Sequence, residues 1–150
     1  MSQYRERSLT ETESDDLREM QDTALTMLPD LGWEPSPEAV IEAIGEALPS
    51  LRALDRQPAF EASIALGALW GEQICRMLRW EWVWLTEVED EQYTHYAVVP
   101  PGRELFISAL FVLSHYAIKA KPEDTSVLLF NMLVAGNVPT AAHGELRELS

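Results

Sequence analysis

A chain of 150 residues is the length of one ordinary domain, and its 47% hydrophobic content is ample for one core. The formal net charge of −14 repels nucleic-acid phosphates and anionic lipid, so it sets both aside as partners and favours a protein with a basic surface. The single cysteine, Cys75, excludes an internal disulfide and a multi-cysteine metal site.

The acidity is uneven. Residues 1–50 carry 12 acids against 3 bases, whereas residues 101–150 carry 5 against 4. Such a field either keeps a tryptophan-rich domain in solution or steers a basic partner toward the front of the chain. The longest apolar stretch, Leu105 to Ile118, is interrupted by Ser108, Ser114 and His115 and is too short to span a bilayer. The opening MSQYRERSLTETESDD has no apolar segment after its charges. A secretory signal is therefore not expected, and cytoplasmic residence is.

Residues 1–10 are polar without an apolar period and read as a loosely attached end. A first helix is expected to begin near Thr12 to Ser14, with Leu17, Met20, Ala24, Leu25 and Leu28 at three- and four-residue steps and Pro29 as its stop. The turn Leu31-Gly32-Trp33 is expected to tuck Trp33 under the next helix. Ser36 with Pro37 is a clean helix start. Val40, Ile41, Ile44, Ala47, Leu48 and Leu51 form the apolar stripe of that second helix, with Glu38, Glu42 and Glu46 on its other side and Pro49 near its end.

The third helix is read as Ala59 to Arg79, after a turn through Asp55-Arg56-Gln57-Pro58. Its Gly67 and Gly71 fall on one face with Ile64, Ile74, Cys75 and Leu78, so another element can approach its backbone closely. Cys75 on that face reads as a small buried hydrophobe. Strands Glu81 to Val88 and Gln92 to Val99 follow, joined through the acidic turn Glu89-Asp90-Glu91 as an antiparallel hairpin. Trp82 and Trp84 are placed on one face with His95, Ala97 and Val99, and Val83 and Leu85 on the other with Tyr96 and Val98. A sheet apolar on both faces must be covered twice or offer one face to a partner. Glu104 to Ser108 reads as a short third strand after Pro100-Pro101-Gly102, Ala109 to Lys119 as a helix ended by Pro122, and Thr125 to Ala135 as a last helix capped by Asp124 and closed at Gly136. The segment 137–150 reads as a loose tail. The expected architecture is α+β: one unit over 11–136 in which a small antiparallel sheet, a hairpin plus a third strand, packs with about five helices.

Motifs that carry chemistry are sparse. Glu72, in an otherwise apolar helix, is a candidate general base or anchor for a partner's arginine; equally, Arg76 lies four residues on, in the favourable orientation for a helix ion pair. His95, His115 and His143 have no metal-ligand spacing, no GxSxG surrounds a serine, and Gly67 and Gly71 are not followed by the lysine of a phosphate loop. No cofactor and no metal are expected.

The order of an LGxxxGE helix (Leu66, Gly67, Gly71, Glu72), a tryptophan-opened hairpin and a proline-marked third strand resembles small bacterial proteins found among the contact-dependent toxin immunity proteins. The likeness covers about Ile64 to Ala135. It implies a stoichiometric inhibitor without catalytic residues that binds a toxin domain. No functional residue carries over, because such proteins share too little at their binding surfaces, and the acidic N-terminal helices here are a departure. The resulting expectation is an acidic, non-enzymatic binding protein, an immunity or inhibitor protein that masks a basic toxin or enzyme domain. Its partner surface is expected to combine Glu38, Glu42 and Glu46 with the hairpin residues Trp82, Trp84, Glu87, Glu89, Asp90, Glu91, Tyr93 and His95. The alternatives are a small enzyme using Glu72 with His95 or His115, and a regulatory or adaptor subunit, including a homodimer.

Overall fold

A computed structural model of the protein describes residues 3–28, 31–114 and 125–149. In chain order its elements are β1 (Tyr4–Arg7), α1 (Glu11–Thr26), α2 (Pro37–Ala47), a 3-10 helix (Leu48–Ala53), α3 (Arg56–Leu78), β2 (Glu81–Glu87), β3 (Thr94–Val99), β4 (Leu105–Phe106), α4 (Ala109–Val112), α5 (Thr125–Val134) and β5 (Arg147–Glu148). The fold is α+β. An antiparallel sheet in the order β1-β2-β3 is joined to a parallel β4-β5 pair by a Val98–Ile107 bridge.

Local chemistry sets most of the boundaries. Helix α1 begins two residues or so before the expected start because Thr10, not Thr12 or Ser14, is its cap: the Thr10 hydroxyl accepts from Glu13 N–H while the Glu13 carboxylate accepts from Thr10 N–H, a closed capping box. Ser36 caps α2 and Pro37 opens it, as expected. Pro49 has no N–H to return to the preceding turn, so the helix tightens there into the 3-10 segment, which still buries Leu48 and Leu51. Helix α3 extends back to Arg56, since Pro58 falls within its first turn where no N–H is needed. Gly136, at φ +76°, closes α5: Gly136 N–H donates to Leu133 O and Asn137 N–H to Met132 O, the paired bonds of a left-handed helix end.

The middle of helix α3 is enclosed on all sides. Ala65 through Gly71 are buried without a break, and α1, α2 and α4 all pack on it. Trp70, fully buried, donates its indole N–H to the Ser126 carbonyl 3.2 Å away and so ties α3 to α5. The two glycines are where neighbours come closest. A Cβ at Gly67 would collide with the Ala109 carbonyl oxygen and stand 2.9 Å from Leu110 Cα, and one at Gly71 would stand 2.6 Å from the Trp82 ring and 2.7 Å from Ala109 Cβ. The close approach read from their four-residue spacing is made to α4 at one glycine and to the sheet at the other.

The faces of the hairpin differ from the expected ones. Trp82 pairs with Val98, Val83 with Ala97, Trp84 with Tyr96 and Leu85 with His95. Trp82 and Trp84 therefore share a face with Tyr96 and Val98, and His95, Ala97 and Val99 lie on the opposite face with Val83 and Leu85. The turn decides this. Glu87 N–H donates to Tyr93 O, and Tyr93 N–H to Asp90 O. Five residues, Val88 to Gln92, lie between Glu87 and Tyr93; the three-residue turn Glu89-Asp90-Glu91 read from the sequence has the same odd parity and already sets Trp82 opposite Val98, so the expected faces are one residue out of step with the expected turn.

Both faces of the sheet are covered. The tryptophan face packs on α3, α1 and α4, with Trp82 and Tyr96 beside Leu17, Ala68 and Leu110. The other face carries a second core of Val83, Leu85, Ala97, Val99, Phe106 and Leu146, with Tyr4 packed against it. Parts of both ends read as loose are thus in strands. Tyr4 to Arg7 pair with Glu87 to Trp84, and the last segment is held by Leu146 N–H on Arg103 O, Arg147 N–H on Glu104 O and Leu149 N–H on Phe106 O. The ends contribute isolated apolar anchors, Tyr4 and Leu9 at the front and Leu146 and Leu149 at the back, whose spacing shows no sustained period. Glu104 to Ser108 supplies β4, which pairs mainly with β5. Beyond Ser114 the helix expected to run to Lys119, with Pro122 and the Asp124 cap, lies outside the described residues.

Replacing Gly67 by Ala sets a methyl against the α4 backbone, which cannot rotate away as a side chain could. The expected cost is about 1–3 kcal/mol, read as a lower urea midpoint at unchanged slope. An unchanged midpoint would show that α3 and α4 are not in backbone contact.

Candidate functional site

The strand tryptophans expected to meet a partner are engaged within the molecule. The half-buried Trp82 lies against Gly71 and donates its indole N–H to Glu72 Oε2 at 3.2 Å. Gln21 Nε2, from α1, donates to the same oxygen at 3.2 Å. Glu72 is therefore the joint where α1, α3 and β2 meet. Arg76 turns elsewhere: it donates to Gln73 Oε1 at 2.8 Å and to the Pro35 carbonyl at 3.4 Å. The expected Glu72–Arg76 ion pair is not formed, because two neutral donors from other elements already converge on Glu72. Trp84 packs edge-on against Tyr96, with ring centroids 5.1 Å apart, under the Arg7 guanidinium at 5.2 Å.

His95 stands on the opposite face of the sheet, beside Phe106 at 5.8 Å between rings. Glu72 and His95 are thus separated by the sheet and do not form an acid–base pair; His115 lies outside the described residues. His95 Nε2 is buried without a hydrogen-bond partner, and burial pushes the imidazole pKa below its ordinary 6.5. Burial likewise pushes the Cys75 thiol up to about 12, with Glu72 and Glu81 adding to it, which keeps the thiol protonated and unreactive. Among the described residues no group of three or more His, Cys, Asp or Glu is placed to hold a metal ion.

The acidic turn is solvated. Glu89, Glu91 and Tyr93 are exposed, Glu87 and Asp90 half-buried. Asp90 Oδ1 accepts from Gln92 N–H, and Glu91 pairs with Arg5 at 3.4 Å across side chains 73% and 64% exposed, a contact worth at most about 1 kcal/mol. The turn sits at the end of the hairpin. Glu38, Glu42 and Glu46 belong to a different surface, the solvent side of α2, which packs on α3, α5 and the 3-10 segment.

The turn that leads into α2 differs from the expected one. Trp33 is 92% exposed, where a tucked ring was expected. Its turn contains two left-handed residues, Gly32 at φ +74° and Glu34 at φ +49°, and is tied to α3 by the Arg76–Pro35 bond. A large apolar side chain gains about 1.5–3 kcal/mol on burial, which this ring forgoes. Next to the turn a groove of about 590 Å³ opens between the end of α1 and α2, lined by Met27, Leu28 and Leu31 on one side and Ala39, Ala43 and Ala47 on the other, with Glu42 and Glu46 at its margin. Trp33 had a readable signal: it is preceded by a glycine, followed by Glu34-Pro35, and belongs to no apolar period.

The chain matches no protein-family model, no curated protein and no solved structure. No helix among the described residues is long and apolar enough to cross a membrane.

Glu72→Leu leaves the Trp82 and Gln21 donors without an acceptor and should cost about 1–3 kcal/mol, whereas Glu72→Gln keeps an acceptor oxygen and should cost less. A double-mutant cycle between Glu72 and Arg76 should give a coupling near zero; a substantial coupling would restore the helix ion pair. For His95 the sign is set by its depressed pKa. Above pH 6.5 both folded and unfolded chains hold it neutral; below that the unfolded chain takes up the proton first, so stability falls as pH drops toward the lower folded pKa. His95→Leu should flatten the loss of stability between about pH 7 and 5 relative to wild type. Parallel pH profiles would show that His95 is not shielded.

Proposed function

We propose that the protein is an acidic, non-enzymatic binding protein that masks a basic protein partner, most concretely an inhibitor of the immunity type acting in the bacterial cytoplasm. The observation that carries this reading is Trp33, 92% exposed on the turn that leads into α2, the helix that carries the exposed row Glu38, Glu42 and Glu46. Acidic side chains at that surface attract a basic target over the screening length, and the indole then supplies an anchor of the kind that dominates interface energetics. The excess of acids over bases in residues 1–50 adds to the same field. The likeness of the LGxxxGE helix and hairpin to toxin immunity proteins supports the same class. The hairpin residues Trp82 and Trp84 support the surface from within, by holding α3 and α1 in place, rather than by touching the partner.

The test is association with a basic target, the product of the adjoining reading frame being the first to try. The wild-type association rate should fall as ionic strength rises from about 0.01 to 0.15 M, because the screening length shrinks from about 30 to 8 Å. Combined Glu38→Lys, Glu42→Lys and Glu46→Lys should slow association at low salt by about tenfold or more. Trp33→Ala should instead speed dissociation, by about 2 kcal/mol if the ring is a central anchor. A rate that ignores salt and both sets of substitutions would remove this reading and leave the acidity as a solubility device.

A further inference from the structure

We infer that the α1–α2 groove is the seat for a cationic amphipathic helix of the partner protein. This rests on the masking reading above and assigns it a recognition element. Ala39, Ala43 and Ala47 recur at four-residue steps, so they form one line of small side chains along α2 over which a second helix can approach to about 8–10 Å between axes. Met27, Leu28 and Leu31 wall the other side with larger apolar groups. Glu38, Glu42 and Glu46 repeat with the same period, about 6 Å apart along the helix axis. Lysines or arginines at four-residue steps on a helix lying along α2 would meet them in register.

The shape of the groove selects among occupants. Met27, Leu31 and the three alanines are only half-buried, so the groove is open along its length and cannot enclose most of a small molecule's surface, as small-ligand sites do. A second copy of this chain would bring another net charge of −14 against the acidic margin. A basic helix with an apolar face satisfies both the walls and the margin, the helix-in-groove mode of peptide recognition.

The probe is a synthetic peptide of about 14 residues with leucines at i, i+3, i+4 and i+7 and lysines at four-residue steps on the other face; its control is a scrambled peptide of the same composition and charge. With the full-length protein, the amphipathic peptide should become helical by circular dichroism, change the Trp33 emission, and bind at least tenfold more tightly than the scramble. Ala43→Arg, which fills the groove, and the pair Glu42→Lys with Glu46→Lys, which leaves it open, should each weaken binding at least tenfold while the unfolding midpoint of the charge pair stays near wild type. Equal binding of the two peptides, or wild-type binding by both variants, would overturn the assignment. A wild-type dimer that Ala43→Arg dissolves would also overturn it, by putting a second copy in the groove. If the peptide fails while a basic protein target still associates in a salt-dependent way, the groove assignment falls and the masking function stands; if neither binds, both fall.

Discussion

The contact made possible by Gly67 and Gly71 determines how the other elements can be arranged. With no Cβ at either position, the α4 backbone settles onto α3 at Gly67 and the Trp82 ring onto it at Gly71. That second approach brings the indole N–H within reach of Glu72, one residue along the same helix, and Gln21 of α1 reaches the same carboxylate. A substitution that pushed Trp82 outward would therefore lose packing, the Glu72 hydrogen bond and the tie to α1 together. The covering of α3 on every side explains why its sequence is apolar around the whole circumference from Ala65 to Gly71.

Charge plays two separate roles in this molecule. A few ion pairs clamp the edge strand: Arg7 binds both oxygens of Glu13 at 2.8 and 2.9 Å, and Arg103 joins the partly buried Glu6 of β1 to Glu81 of β2. The Arg7 hydrogen bond, helped by the Thr10 N–H, holds the Glu13 carboxyl down at about 2, so this clamp persists well into acid before it is lost. These bonds attach a four-residue strand that has little apolar surface of its own. The acids of α2 do none of this. Glu38, Glu42 and Glu46 point to solvent, which leaves their field available to a partner.

Much of the fold was legible because helix signals are local. Ser36-Pro37, the Gly136 stop, the glycine face of the third helix and the two strand segments each depend on residues adjacent in sequence. What was not legible depends on distant partners. The hairpin register is not among these: the turn Glu89-Asp90-Glu91 holds an odd number of residues and so sets Trp82 opposite Val98, a parity that the expected faces did not follow. Glu72 was read against Arg76 because an i,i+4 pair is visible in sequence, whereas Gln21 and Trp82 come from other elements. The end strands escaped for the same reason: Tyr4 and Leu146 are isolated apolar residues whose shared neighbour, Phe106, is remote. On the candidate site, the acidic row was legible from its four-residue spacing. The exposure of Trp33 was missed, and alternation placed Trp82 and Trp84 on one strand face without saying that α1, α3 and α4 half-cover it.

The functional account stands on Trp33 being presented to solvent while Trp82 and Trp84 are half-buried against the helices. Quenching of tryptophan emission by acrylamide, which is neutral and so not repelled by the surrounding acids, tests it in the free protein. Trp33→Phe should lower the quenching slope and shift the remaining emission to shorter wavelength, leaving a spectrum from half-buried and buried rings. If Trp33→Phe changes neither while Trp84→Phe or Trp82→Phe removes the quenchable component, the presented ring is on the hairpin, and the surface built around α2 is contradicted.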